Sequence, residues 1–347
     1  MSWYQEPAAP IDTSMEAEAI AHQLSLTKPP GALGALERVA TRLASLQGKL
    51  KPELNNIYIS IFAADHGVAA TGVSAFPQAV TTEMVKNFAT GGAAISVLAR
   101  QLQAQFEVVN LGTLFEVEEH QQIIDARIAP GTHNFCEAPA MDDAQLELAL
   151  NQGRQAAERA VQANAHLFIG GEMGIGNTTS ASALAAARLG LPAASLVGPG
   201  TGLPSDKLPF KVEKIEAALN LHTSTEAFEQ LRCLGGFEIA GLVGAYIGCA
   251  QKGVPVLIDG FISSAAALMA VAINPSIQGW LFFSHESAEP GHQTILRALA
   301  AEPLLNIGMR LGEGSGAAVV VSLMQSAVAL HNQMATFDSA GVSEKES

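Results

Sequence analysis

Basic residues are scarce in this chain. Lys and Arg number 19 among 347 residues, against 33 Asp and Glu, leaving a formal net charge of −14. That balance argues against general binding to nucleic acid or to an anionic membrane surface. It leaves room for a small anionic substrate, because a local site can override the global field. Cysteine is sparse too. Cys136, Cys233 and Cys249 are odd in number and form no CxxC. They read as reduced core thiols of a cytoplasmic protein, not as a disulfide framework. The most apolar stretch, Gly253–Ile273, is interrupted by Asp259, so no transmembrane span is expected. The opening MSWYQEPAAPIDTSMEAEAI is acidic and lacks the basic-then-apolar pattern of a signal peptide. H-E-x-x-H and EF-hand spacings are missing, so a metal site has little support. Gly312–Gly316 contains G-E-G-S-G, but Ser315 has no assigned His–Asp partner and does not read as a nucleophile elbow.

What is present suits burial. Hydrophobic residues make up 48% of the chain and charged residues only 15%, which fits a globular protein of one large α/β domain or two smaller ones. Met15–Leu24 and Leu33–Leu46 have apolar residues at helical spacing, separated by KPPGALG, whose prolines and glycines enforce a corner. The rhythm then changes. Ile57–Ala64 reads as a buried strand, as do Phe106–Val109, His166–Ile169, Ser195–Val197, Val254–Ile258 and Leu281–Phe283. Helical stretches lie between them, at Pro77–Phe88, Ala93–Leu102, Ala144–Ala163, Thr179–Leu189, Leu208–Leu219, Ser224–Leu234, Gly236–Ala250 and Ile262–Val271. Helices continue to about Met334, and the polar end, Ala335–Ser347, reads as frayed. This alternation predicts an α/β fold: a parallel sheet of about six strands with helices on both faces. The helix with Gly236, Gly241, Gly244 and Gly248 can approach another helix closely, within the subunit or across a dimer.

Polar residues gather just past the strands: Asp65, Asn110, Glu172, Gly198–Gly202, Asp259 and His285. In an open parallel sheet that edge is where ligands bind. Some, Asp259 among them, also read as helix caps. GEMGIGNT, Gly171–Thr178, matches a phosphate loop except that Asn177 replaces the lysine that nucleotide hydrolysis wants. Backbone amides suffice for a phosphate monoester; the alternative is a strand-to-helix turn capped by Asn177 or Thr178. GPGTGLP, Gly198–Pro204, is a second glycine-rich strand end, carrying Gly200 and Gly202. Lys211 follows, as a solvated surface charge or a phosphate partner. Phe76 and Pro77 stand at a helix start, as a hydrophobic staple or the rim of a flat pocket. Met84 and Met173 suit either core packing or that same pocket.

MRLGEGSGAA, Met309–Ala318, places Glu313 between Gly312 and Gly314, ahead of an apolar helical run. Glycines let backbone approach a ligand closely. A carboxylate there gains from the helix dipole. In one reading Glu313 tidies a helix end; in the other it is a general base held above a bound substrate.

KPPGALGALE, AADHGVAATGVSAFPQAVT, GGEMGIGNTTSASAL, GPGTGL, GGFEIAGL, PVLIDGFISSAAAL and MRLGEGSGAA, in this order, closely resemble the nicotinate-nucleotide–dimethylbenzimidazole phosphoribosyltransferase family. The similarity runs from about Leu26 to about Met334. It implies a Rossmann-like sheet in a large domain over 48–302. It also implies a small helical domain from 1–47 and 303–347, and a homodimer. No metal and no dinucleotide cofactor are implied. The implied substrates are nicotinate mononucleotide and dimethylbenzimidazole. Glu313 matches the family's catalytic base, and Glu172 its second acid. Gly174 and Gly176 match the phosphate-loop glycines, with Asn177, Thr178, Gly200, Gly202, Lys211 and Asp259 on the phosphate and ribose side. Phe76 and Pro77 fall where the family borders the benzimidazole, and Met84, Met173 and Leu311 are grouped with them. One departure is Asn110, where the family pattern has Asp. A non-catalytic nucleotide-binding or regulatory module would use the same glycine loops without needing Glu313.

Overall fold

The computed structural model describes residues 2–200 and 202–343. Thr201 of the GPGTG loop and the last four residues of the polar tail lie outside the described residues. Two helices come first, α1 (Thr13–Ser25) and α2 (Ala35–Gln47). Asp12 caps α1 by accepting the Met15 amide at 3.0 Å, and Gly48 ends α2 in the left-handed region. The KPPGALG corner lies between them, where proline forbids helix.

The sheet then begins. In chain order the elements are β1 (Ile57–Ala64), α3 (Ala79–Thr90), α4 (Ala94–Gln101), β2 (Gln105–Gly112), β3 (Ile123–Asp125) and α5 (Asp143–Gln162). They continue with β4 (Leu167–Met173), α6 (Asn177–Leu189), α7 (Leu208–Leu221), α8 (Ala227–Leu234), α9 (Phe237–Gln251), β5 (Val256–Ile258) and α10 (Phe261–Ile273). The chain closes with β6 (Leu281–Phe283), α11 (His292–Ala298), α12 (Ser315–Gln333) and α13 (Phe337–Ala340). Six parallel strands pair in the order β3-β2-β1-β4-β5-β6. That is the Rossmann order, and its winding reverses between β1 and β4. Every residue of β1 is buried, as expected of a strand covered on both faces.

One expectation needs correction, and one strand had no expectation. Ser195–Val197 is not a strand. Ala193–Ser195 forms a 3₁₀ turn, and the Leu196 and Val197 amides both donate to the Ala193 carbonyl, at 3.0 and 3.1 Å. Amides used in a turn are not available to a ladder. The remaining strand is β3, an edge strand pairing only with β2, Ile123 opposite Val108. Its two half-buried isoleucines and exposed Asp125 carry too short a pattern to stand out.

Consecutive glycines in β4 set the layers. A Cβ on Gly170 would run into Leu242 and Tyr246 of α9; one on Gly171 would run into the backbone of Glu313. Successive strand residues point to opposite faces. Gly170 therefore admits α9 on one side, and Gly171 admits the turn before α12 on the other. The small face of α9 is used within the subunit. A Cβ on Gly153 of α5 would overlap the Gly241 carbonyl, and one on Gly244 the Leu150 carbonyl. The terminal helices meet through Gln23 Nε2 and His331 Nδ1 at 2.7 Å and a bridge between Leu26 and Thr336. The segment before α1 instead reaches across the sheet unit: Trp280 Nε1 donates to Ala9 O at 3.1 Å and Asn274 Nδ2 to Tyr4 O at 3.0 Å.

Candidate active site

A cavity of about 630 Å³ opens at the carboxyl ends of β4, β5 and β6, beneath the start of α3 and the turn before α12. Its size fits a small-molecule site.

The turn is unusual. Gly312, Glu313 and Gly314 all take positive φ, of 89°, 65° and 78°. Glycine adopts this freely, but glutamate does so at a cost of order 1 kcal/mol. Asp259, at the end of β5, holds the turn in place. Its Oδ2 accepts the Gly314 amide at 3.1 Å and its Oδ1 the Ala317 amide at 2.8 Å. Two donors that the first turn of α12 would leave unpaired are thereby satisfied. Asp259 thus acts as a cap from a neighbouring strand while also bordering the cavity.

Glu313 is buried, at 8% exposure, and its Oε2 has no partner among the described residues. Burial pushes its carboxyl up to about 7, with the Ile95 amide opposing and the Asp259 charge adding to the rise. Glu172 lies beside it on β4. Burial, then the charges of Glu238 and Asp259, hold its carboxyl well above the usual carboxylate range. Asn177 donates to Glu172 Oε2. Gly312 lacks the Cβ that would collide with Glu172 Oε1, so the two acids sit together because that glycine leaves space. Next to them the cavity wall turns apolar, with Phe76, Val80, Met84, Met173 and Leu311. Phe76 and Leu311 are exposed at its mouth.

Elsewhere the lining is polar. Gly174, Asn177 and Thr178 bring the loop after β4 and the start of α6 to the cavity, and Gly200 brings the second glycine loop. Lys211 is buried, at 1% exposure, which overturns its reading as a solvated charge. Its Nζ donates to Thr178 Oγ1 at 2.8 Å and to Gly198 O at 3.3 Å. It therefore ties the two loops together from behind the wall. Burial lowers it to about 8, against the pull of Glu289. The cation on the wall itself is Arg310, whose Nη1 donates to Gly200 O at 3.2 Å. Glu289 also lines this end, raised by burial and drawn down by Lys211.

An apolar slot, a buried pair of acids and a glycine-rich anion cradle thus share one crevice. Sequence comparison gives this arrangement a family. The phosphoribosyltransferase family model matches residues 8–342. The nicotinate-nucleotide–dimethylbenzimidazole phosphoribosyltransferase of Pseudomonas fluorescens is 56% identical over 346 residues, 99% of each chain. That of Pseudomonas aeruginosa is 55% identical over 347 residues, again 99% of each. The chain belongs to the nicotinate-nucleotide–dimethylbenzimidazole phosphoribosyltransferase family. A crystal structure of the Thermus thermophilus phosphoribosyltransferase matches with a TM-score of 0.92 at 42% identity, covering 96% of this chain and all of that one.

Within this phosphoribosyltransferase frame, most of the expected positions converge. Glu313, Glu172, Gly174, Asn177, Thr178, Gly200, Asp259, Phe76, Met84, Met173 and Leu311 line the one cavity. Gly176, Gly202, Pro77 and Lys211 do not line it. Gly176 and Gly202 shape their loops at φ of 101° and 109°, and Pro77 precedes α3. Two polar strand ends lie elsewhere. Asp65 accepts Thr81 Oγ1 and the Leu114 amide, both at 2.7 Å. Asn110 accepts the Thr113 amide at 3.0 Å and donates to Asp125 at 2.9 Å. Both fasten β1 and β2 to their loops. Sequence reasoning passed over Val80, Ser263, Ser287, Glu289 and Arg310, all on the cavity wall. Arg310 stands three residues before Glu313, and its position there was the available signal.

Proposed function

We propose that this cavity transfers the phosphoribosyl group of nicotinate mononucleotide to 5,6-dimethylbenzimidazole. The products are α-ribazole 5′-phosphate and nicotinate, for the nucleotide loop of cobalamin. The observation that carries this reading is Glu313. It is a buried carboxylate with a free oxygen, raised to about 7, in a cavity that also carries an apolar slot and a glycine-rich cradle. The α6 start, the Gly200 loop and Arg310 receive the 5′-phosphate. The flat base enters among Phe76, Met84, Met173 and Leu311.

One base nitrogen then attacks the anomeric carbon as the bond from that carbon to the nicotinate ring nitrogen breaks. Attack from the opposite face converts a β-nucleotide into an α one. The leaving ring departs with the bonding pair, which discharges its cationic nitrogen. The proton on the base's second nitrogen passes to Glu313, whose raised pKa suits a base working near neutrality. Positive charge develops on the ribose carbon, as in glycoside cleavage; that charge in turn favours the ionised forms of the neighbouring acids Glu172 and Asp259, which then stabilise it.

We also propose the division into a sheet domain over 48–302 and a helical domain from 1–47 and 303–347, together with a homodimer and a cytoplasmic location. Exposed Ile20 and Leu24 on α1, Val97 on α4 and Leu323 on α12 support a dimer contact on the terminal side. Three free cysteines suit a reducing compartment. Among the described residues no helix is long and apolar enough to cross a membrane.

Incubation with nicotinate mononucleotide and dimethylbenzimidazole, followed by chromatography, tests the transfer. Formation of α-ribazole 5′-phosphate is expected. Ribotide that binds but is never consumed would instead favour a non-catalytic binding module.

A further inference from the structure

His285 follows β6 and lines the cavity beside Asp259 and Ser287. Its backbone is pinned: the Glu286 amide donates to Leu305 O at 2.8 Å, and the Leu304 amide to Ser284 O at 3.0 Å. Its ring is pinned as well. Ser284 Oγ donates to Asp259 O at 3.3 Å and lies 2.9 Å from His285 Nδ1. A hydroxyl has one proton to give, so in this network Nδ1 is the donor and Ser284 Oγ the acceptor. Asp259 Oδ1, 3.9 Å from Nδ1, favours the same assignment. Nε2 is then the lone-pair side of the ring. It has no partner among the described residues, and it is not sealed away from the cavity.

The ring also explains the last glycine of GEGSG. Gly316 has no positive φ, so its backbone does not require glycine. A Cβ there would collide with His285 Cε1 and Nδ1. Gly316 therefore works as a slot for the imidazole, whereas Gly312 and Gly314 set a turn.

We infer that His285 is a ribose-binding residue of the transfer reaction: Nε2 accepts a ribose hydroxyl proton, in an orientation fixed by Ser284 and the Gly316 slot. The inference rests on the function proposed above, because it needs a ribosyl group spanning the crevice. The anion cradle and the base slot would take the two ends of that group, and Ser263, Ser287 and His285 are further polar residues lining the same cavity. A fixed acceptor there holds the sugar while its anomeric carbon changes partners.

The test is calorimetric binding of nicotinate mononucleotide and its 2′-deoxy and 3′-deoxy forms to wild type, His285→Ala, Gly316→Ala and the double variant. His285→Ala is expected to weaken ribotide binding about tenfold. It should bind one of the deoxy forms as well as wild type does. Gly316→Ala, which displaces the ring, should weaken the ribotide similarly in wild type. In the His285→Ala background it should add less than about twofold, because the Cβ then has room. An equal penalty on the ribotide and both deoxy forms would reduce His285 to a structural role and overturn the inference. So would additive losses in the double variant. Wild type that binds the ribotide but transfers nothing overturns the proposed function, while the binding series still decides for or against His285.

Discussion

Glu313 holds its proton where most carboxylates have lost theirs, and this affects stability. The folded chain keeps the proton up to about pH 7, whereas the ordinary value is 4.5. Between those values the folded state binds more protons than the unfolded one. The stability contributed by the neutral acid is complete below about 4.5 and lost as pH rises through 7. Glu313→Gln removes that loss. In the empty protein at pH 8 the variant should be more stable than wild type, by on the order of 2 kcal/mol. The gap should close toward pH 4.5. Thermal unfolding of both proteins across this range checks it, and parallel curves would show that the carboxyl is not held in its neutral form. At this scale the sequence was partly readable. Glycines beside Glu313 and Glu172 marked the acids, because a glycine pattern survives in the linear string. Which cation faces the ligand did not. Lys211 and Arg310 are told apart only by tertiary packing, and no local pattern separates a residue behind the wall from one on it.

The two glycine loops are independent elements brought together by one side chain. Lys211 joins the start of α6 to Gly198, while Arg310 reaches the same region from the α12 turn. Their substitutions should separate accordingly. Lys211→Ala should lower the melting temperature and raise the ribotide KM, because it unties the loops and leaves buried Glu289 with only the weaker influence of Arg310. Arg310→Ala should raise the ribotide KM roughly tenfold with little change in melting temperature. Steady-state kinetics and a thermal melt on each variant decide; a normal melt for Lys211→Ala would contradict its role as a tie. Element identity was largely legible, since β1 and the long helices carry strong periodicity. Failures came where only three residues carry an element. Ser195–Val197 looked like a strand and turns, while Ile123–Asp125 drew no assignment and pairs with β2, because neighbouring strands rather than local propensity settle such short pieces.

At the scale of the whole molecule, the Rossmann order puts Asp65 and Asn110 on one side of the reversal, bracing loops. It puts Glu172, Asp259 and His285 on the other, around the cavity. Strand order is a long-range property, and no window of sequence contains it, so the strand-end residues could be gathered but not sorted. The proposed homodimer belongs to this scale too. Sedimentation equilibrium should give twice the 36.1 kDa chain mass, and a charged residue at Leu323 should shift it toward monomer. A single-chain mass for wild type would remove the dimer.

The central claim is that this crevice moves a ribosyl group to an azole with Glu313 taking the azole proton. It is tested most directly by kcat/KM for nicotinate mononucleotide plus dimethylbenzimidazole, measured from pH 5.5 to 8.5 in wild type and Glu313→Gln. Wild-type kcat/KM should rise through an inflection near pH 7. The variant should be slower by about a hundredfold or more, with that inflection gone. Equal rates in the two proteins, or an unchanged inflection in the variant, would contradict the account.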